Sequence, residues 1–462
     1  MTMTEATQEK TSLGNYFVAN YPPFSFWSAE HLPAAQQALH ATPVPGTPLG
    51  LYLHIPFCRK RCKFCYFRVY TDKNARDVET YLDALSREVE MVSRLPIIGG
   101  RPLHYVYFGG GTPSYLSAAQ LCKLVERLQA VLPWHGAAEV TFECEPGTLQ
   151  QHKLETLKEI GVTRLSLGIE NFDDQILEAN GRAHHSAEIF RAYDWAREIG
   201  FDQINIDLIA GMIGETWDNW QNCVAKTIEL APDSVTIYQL ELPFNTVFSK
   251  ELLTVGSRQS AVGSSEAEQQ DFYLPTAPRS RPTAIADWPT KRAWVDYAFN
   301  ELARAGYEVS SAYTMVKNKQ TCRFVYRDSL WHGADMFGTG VASFGHARGV
   351  HIQNVDTWEQ YVAMCQAGEL PLGRALPVTP RQRLIREMIL QLKTGSLDAG
   401  YFQRKFAVDI LDVFAEGFQE LAEEGYLVVH DDGVRVTRQG LLQVDRLLPT
   451  FFEEAHRGAR YT

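Results

Sequence analysis

Residues 51–67 read Leu-Tyr-Leu-His-Ile-Pro-Phe-Cys-Arg-Lys-Arg-Cys-Lys-Phe-Cys-Tyr-Phe, and this stretch decides the fold. Leu51 to Ile55 has the apolar run of a buried strand, and Cys58, Cys62 and Cys65 follow in the loop that leaves it. Three thiolates from one short loop can hold three irons of a cubane iron–sulfur cluster, and no fourth cysteine follows closely enough to take the last iron. That iron is open to another ligand. A zinc knuckle is the alternative, since C-x2-C is common in zinc sites, but the spacing is wrong for a paired C-x2-C site.

Beyond this loop, short apolar runs alternate with longer amphipathic ones as far as about Leu242, the βα repeat of a parallel sheet or barrel. The pattern predicts strands at Leu51–Ile55, Tyr105–Phe108, Val140–Glu143, Arg164–Gly168, Ile204–Ile209 and Ser234–Leu240. Helices are expected near Val78–Ser93, Ala118–Leu132, Gln151–Ile160, Ala187–Gly200 and Thr216–Leu230. Six strands with right-handed crossovers suit an α/β fold built as a partial (β/α)6 barrel. Cys58, the glycines after Phe108, Glu143, Glu170 and Asp207 each follow or close a different strand, where a parallel barrel gathers its active site.

A chain of 462 residues is long enough for more than one domain. Residues 1–48, with the cluster Asn20-Tyr-Pro-Pro-Phe-Ser-Phe-Trp, are expected to form a leader packing on the barrel, which spans 49–255. Residues 256–289 begin with a stretch rich in Ser, Gln, Glu, Pro and Thr and read as a surface linker or loop; 290–374 read as a barrel extension with substrate-side elements. From 375 to 462, helices near Arg381–Lys393 and Ile410–Glu424 precede a hairpin, Tyr426–Val436, turning at Asp431-Asp-Gly. The expectation there is a mostly helical, winged-helix-like domain.

The formal charge of -11 and the absence of a dense basic recognition stripe argue against nucleic acid as a partner and toward small molecules. Eight cysteines, three in one loop and five scattered, do not resemble a disulfide framework, so a reducing cytoplasm fits. The polar start, Met-Thr-Met-Thr-Glu-Ala-Thr, has no apolar core of a signal peptide, and no run approaches the length of a membrane span.

Other motifs carry chemistry. Phe108-Gly-Gly-Gly-Thr-Pro lets backbone groups approach a ligand closely. Glu143 closes the third strand and can accept hydrogen bonds from hydroxyl or ammonium groups. Arg182, in Asn180-Gly-Arg-Ala-His, offers a bidentate partner for a carboxylate. Asp207 sits inside the apolar run Asn205-Ile-Asp-Leu-Ile-Ala-Gly and needs a specific partner, structural or ligand.

Together the segments LYLHIPFC, FGGGTPS, TFECEPGT, RLSLGIENF, NGRAH, INIDLIAG and GTGVASFG resemble the oxygen-independent coproporphyrinogen III oxidase-like branch of the radical S-adenosylmethionine (SAM) enzymes. The resemblance runs from Tyr52 through the C-terminal domain. It implies that Cys58, Cys62 and Cys65 hold a 4Fe-4S cluster, and that Tyr52, Gly110, Gly111, Thr112, Glu143, Arg182 and Asp207 bind SAM, with room for a second SAM nearby. The cluster would then take an electron from a donor such as flavodoxin or ferredoxin and cleave SAM to a 5′-deoxyadenosyl radical. Two departures stand out. The oxidases follow C-x3-C-x2-C-x-C where this chain has Phe67, and they carry glutamine where it has Glu170. The resemblance therefore leans toward class C methyltransferases and cyclopropanases, which would add a carbon from a second SAM to a planar, apolar substrate. Oxidative decarboxylation of coproporphyrinogen and haem binding by a chaperone are the alternatives. Tyr66, Phe67, Tyr115 and Phe344 are candidate lining for the acceptor, and Glu170 and His332 are candidate proton acceptors, hence catalytic residues.

Overall fold

The computed structural model describes residues 18–241, 246–248 and 285–459, so most of the expected linker, 256–284, lies outside the described residues. The chain falls into two compact units, one of Ser28–Pro377 and one that joins residues up to Trp27 with those from Val378 onward.

The larger unit is built on the six strands expected: β1 (Leu49–Ile55), β2 (Tyr105–Gly110), β3 (Glu139–Cys144), β4 (Arg164–Glu170), β5 (Gln203–Ala210) and β6 (Ser234–Gln239). They lie side by side in chain order, and every neighbouring pair is parallel. Each crossover carries helix, so this is an α/β fold with a partial-barrel core. The helices begin where capping chemistry allows. Asn74 and Ser117 close capping boxes at the starts of Ala75–Ser93 and Ala118–Val131, and Thr216 caps Trp217–Leu230.

The sheet continues past the six. Strands β7 (Glu308–Ser311), β8 (Thr314–Val316), β9 (Asp335–Thr339), β10 (Phe344–Ala347), β11 (Val350–Asn354) and β12 (Leu372–Pro377) extend it in the order β12-β11-β10-β9-β1 on one side and β6-β8-β7 on the other. Strand β9, inside the glycine-bearing stretch near Met336, runs parallel to β1 and is a seventh parallel strand.

Alternation along the strands gives the barrel its two faces. Leu49, Leu51, Leu53 and Ile55 are fully buried on one side of β1, while Tyr52 and His54 share the other. That second face is unusually polar across the sheet: Tyr107, Glu143, Ser166, Asn205 and Asp207 meet there through side-chain hydrogen bonds. Its lower end is plugged. Buried Arg164 pairs with buried Glu139 at 3.2 Å, and Phe324 lies over the guanidinium at 3.8 Å. Glu139 also accepts the backbone N–H groups of Val325 and Tyr326, which seats helix Val325–Trp331 under the strands.

The smaller unit packs helices Pro380–Leu392, Ala399–Phe406 and Ala415–Glu423 with β13 (Ser396–Asp398), β14 (Leu427–His430) and β15 (Gly433–Val436) in the order β13-β15-β14. The hairpin turns at the expected Asp431-Asp432. Residues 18–27, read above as part of a barrel leader, cluster with this unit: the Tyr21 hydroxyl meets His456 Nδ1 at 2.8 Å and its ring lies 4.9 Å from that of Phe452. Helix Leu32–Leu39 of the same leader packs in the larger unit, against β12 and β11.

Candidate functional site

The loop after β1 is pinned at both ends. Phe57 and Tyr70 form a parallel bridge, the N–H of Cys58 donates to Tyr70 O at 3.1 Å, and that of Tyr70 donates to Pro56 O at 2.7 Å. Cys58, Cys62 and Cys65 therefore sit on a closed Ω-like loop at the C-terminal end of the barrel. Thr112 Oγ1 donates to Cys58 Sγ at 3.4 Å and Arg182 Nη1 to Cys62 Sγ at 3.3 Å. Burial pushes the Cys58 thiol up to about 12 and the Cys65 thiol to about 11, which disfavours the bare thiolate at both positions. Among the described residues no three acid, histidine or cysteine side chains gather about one point in the manner of a mononuclear metal site. A cubane presents a separate iron to each thiolate.

The glycine segment after β2 lies directly under this loop. Gly111 donates its N–H to Ile55 O at 2.9 Å, and a Cβ there would lie 2.9 Å from both Ile55 O and Phe57 O, so no side chain fits. Gly110 takes φ +113, and a Cβ on it would meet His54 at 2.5 Å. His54 is itself buried, neutral because burial lowers it to about 4, and lies between Tyr52 (OH to Nδ1, 3.4 Å) and Arg68 O (Nε2, 3.3 Å).

Three carboxylates line the recess below. Glu143 accepts from Tyr107 OH at 2.7 Å and from the Gly110 N–H at 3.2 Å. Asp207 accepts from Ser166 Oγ at 2.7 Å and Asn205 Nδ2 at 2.8 Å. Glu170 has φ +66, a conformation rare for any residue but glycine, and pairs with Arg182 at 3.6 Å. Desolvation raises Glu143 and Glu170 to about 7 and Asp207 to about 6; Glu143 also stands in the field of Asp207, and Glu170 in those of Asp207 and Glu143. Arg182 faces this group, and Asp207 also feels the deeper Arg164; Arg182 Nη2 is committed to Gly168 O at 2.5 Å, and its buried Nε finds no acceptor among the described residues. The recess is thus an excess of desolvated acid with one unused donor, suited to a ligand bearing both positive charge and an acceptor.

Around the mouth stand aromatic rings. Tyr66 and Phe67 stack at 4.6 Å and are 40% and 46% exposed; Tyr238 and Phe344 are 42% and 43% exposed. Tyr238 keeps that surface although desolvation holds its hydroxyl well above the usual range, as expected of a ring lining a concavity. Tyr115 instead packs on Phe57 at 5.8 Å, on the flank of the cluster loop.

Every expected ligand of the cluster and of SAM lies at this end of the barrel, as does Glu170. His332 does not. It caps the helix Val325–Trp331 just before β9 begins at Asp335, the residue paired with Leu49 at the start of β1. This places His332 at the plugged end, exposed and bonded through Nδ1 to Asp328 O at 2.6 Å, so its proposed role as proton acceptor is withdrawn. The residues missed were Tyr107, His54, Ser166 and Asn205. Their signal was present: in β1 to β6 polar groups recur at every second residue within runs that otherwise look apolar.

Comparison with known proteins agrees with this geometry. Residues 52–226 match the radical SAM superfamily and 378–442 match the HemN C-terminal domain. The chain is 30% identical to the heme chaperone HemW of Bacillus subtilis over 405 residues, 87% of this chain and 99% of the relative. It is 26% identical to the oxygen-independent coproporphyrinogen III oxidase of Escherichia coli over 434 residues, 90% and 88% of the two chains. The solved structure of that E. coli coproporphyrinogen III oxidase (HemN) superposes with a TM-score of 0.76 at 24% identity, covering 94% and 96% of the two chains, which shows the shared fold. A 4Fe-4S cluster and SAM are the cofactors of this superfamily, and the recess fits them: thiols on one loop, a glycine cradle with no room for Cβ atoms, an unused Arg182 donor and surplus acid for a sulfonium. The chain belongs to the radical SAM superfamily, in the HemN- and HemW-type group that carries the HemN C-terminal domain.

Proposed function

We propose that this protein binds a porphyrin-type tetrapyrrole at the barrel mouth, in the manner of a haem chaperone that has kept the cluster and the SAM site. The observation that carries the reading is the pair Tyr66 and Phe67: two stacked, exposed rings directly following the last cluster cysteine, offering a flat apolar face where the oxidase pattern has a further cysteine. The 30% identity to a heme chaperone over nearly that relative's whole length supports the same choice.

When bound, the cluster and SAM supply reductive cleavage of the sulfonium to a 5′-deoxyadenosyl radical. The chain's own residues do the rest. Cys58, Cys62 and Cys65 hold the irons, the Gly110–Gly111 backbone and Tyr52 line the SAM site, and Arg182 offers Nε to its carboxylate. Glu143 and Asp207 accept from N–H and O–H donors of the ligand. Glu170, raised to about 7, can hold or release a proton near neutral pH at the mouth.

Methyl or methylene transfer from a second SAM was the leading expectation from Phe67 and Glu170. The relatives named above support the tetrapyrrole readings instead, oxidase and chaperone alike. Among the described residues no helix is long and apolar enough to cross a membrane, and we place the protein in the cytoplasm with a soluble electron donor.

Products separate the readings. Reconstituted protein with reductant and SAM is titrated with haemin and, separately, with coproporphyrinogen III. Stable, stoichiometric haem binding without decarboxylation is expected. Decarboxylation with 5′-deoxyadenosine would establish the oxidase, and S-adenosylhomocysteine formed together with 5′-deoxyadenosine would establish methyl transfer; either result would displace the chaperone reading.

A further inference from the structure

Arg59 directly follows the first cluster cysteine, and its guanidinium is built into the barrel rather than left to solvent. Its Nη2 pairs with Glu145, in the loop that leaves β3, and donates to Ala183 O at 3.2 Å, in the segment that follows the helix Asp174–Ala179. Glu145 is only 7% exposed, so its charge depends on this cation. Gly147 opens the slot, because a Cβ there would collide with Arg59 Nη2.

The two partners of Arg59 flank the two residues expected to hold SAM. Glu145 lies just beyond Glu143 and is itself fixed, its N–H donating to Ser114 Oγ at 3.0 Å. Ala183 follows Arg182, whose Nη1 reaches Cys62 Sγ at 3.3 Å. His184 ties these groups together. Its Nε2 donates to Ile169 O at 3.1 Å, which leaves Nδ1 as an acceptor 3.5 Å from Arg182 Nη2. Burial, with the Arg182 and Arg59 charges, keeps this imidazole neutral. A second tie runs from the Lys63 N–H to Asn180 O at 3.0 Å. The cysteine loop is thus held to the Arg182 segment on either side of the Cys62 contact, by Lys63 and by Arg59.

We propose that Arg59 is a positioning residue for the two cofactors: through Glu145 and Ala183 it sets the cysteine loop against Glu143 and Arg182. A ligand held by those two residues then meets the open iron of the cluster in register. The proposal rests on the cluster and SAM site described above and holds for any ligand at the mouth. Arg59 acts through its partners, so the cluster forms without it, but SAM no longer reaches iron and recess together. Both of its contacts come from one nitrogen, Nη2, and a lysine ammonium also carries several donors on one nitrogen.

The test uses the reconstituted holoprotein with oxidised cluster and no reductant, and its R59K, R59Q and R59Q/E145Q variants. Bound iron, the Kd for SAM by equilibrium dialysis and the Tm are measured for each. R59Q alone strands the buried Glu145 charge and should lower the Tm, whereas the double variant removes both charges and should recover most of it. Partners one layer out from a metal centre typically count for about tenfold or more, so the Kd for SAM should rise by that factor in R59Q and in the double variant alike. Bound iron should stay unchanged, and R59K should lie within about threefold of wild type. A double variant that regains wild-type SAM affinity along with its Tm overturns the proposal, since Arg59 would then only offset Glu145. So does R59Q that binds SAM within about twofold of wild type, or that fails to take up the cluster. Wild-type protein that takes up no cluster or binds no SAM overturns the cofactor assignment as well, and does so before any variant is compared.

Discussion

Replacing Tyr107 by Phe removes one hydroxyl and isolates its effect on Glu143. That hydroxyl donates to Glu143 at 2.7 Å, leaving the Gly110 N–H at 3.2 Å as the other donor to the carboxylate. Glu143 is already raised to about 7, by desolvation first, with the Tyr107 bond acting to lower it. A hydrogen bond to a buried charge contributes about 1.5–3 kcal/mol, and one pKa unit corresponds to about 1.4 kcal/mol. Its loss should therefore raise Glu143 by roughly 1–2 units. With a new value near 8.5, the ionised fraction at pH 7.5 drops from roughly three-quarters to roughly a tenth. If the ionised carboxylate accepts from SAM, the Kd for SAM rises about eightfold at pH 7.5, and the ratio of variant to wild type shrinks below about twofold by pH 9. Equilibrium dialysis with the oxidised cluster and no reductant reads this without turnover. A ratio independent of pH would show that Tyr107 merely shapes the recess. No change at any pH would remove Glu143 from the SAM site.

Replacing Cys58, Cys62 or Cys65 singly by Ala should abolish the chromophore at about 400 nm and the bound iron; a full cluster in any of the three would refute the assignment. Arg182→Lys keeps the charge but loses the planar fork that reaches Cys62, Gly168 and the free Nε position, so SAM affinity should fall at least about tenfold, a loss seen by dialysis. Glu88 is buried in the helix Ala75–Ser93, accepts from Gly340, Asn354 and Tyr361, and is raised to about 7 by desolvation. A raised acid contributes stability that is present below its unfolded value and lost as pH rises through about 7. Glu88 should therefore lower the apoprotein's Tm progressively between about pH 4.5 and 7 and add no slope above about 8, and Glu88→Gln should remove that contribution; a Tm difference between variant and wild type that is the same at pH 5 and pH 7.5 would refute the linkage.

The six parallel strands were legible to within about two residues at each end because they are long, apolar and separated by amphipathic helices. The flanking strands were harder. Strand β9 has five residues with Gly338 next to last, and β8 has three, too short for any period to show. The cysteines, the glycines and Glu143 were legible because they follow or close strands, a position the pattern fixes. Tyr107 and Asn205 lie inside their strands, as Tyr52 and Asp207 do, where position along the strand alone does not separate a lining residue from a packed one. His332 was chosen by residue type and proximity to an apolar stretch, and only strand direction shows that it belongs to the opposite end.

The Arg164–Glu139 plug has a kinetic consequence. A buried ion pair, an aromatic ring and a seated helix fill the lower end of the recess, so among the described residues no ligand passes through that end and the mouth is the approach beside the cluster loop. A ligand at the mouth then stands in the path of anything beneath it. If the tetrapyrrole proposed above covers that mouth, SAM loads before it and SAM's fragments leave after it, an order of occupancy that is last in and first out.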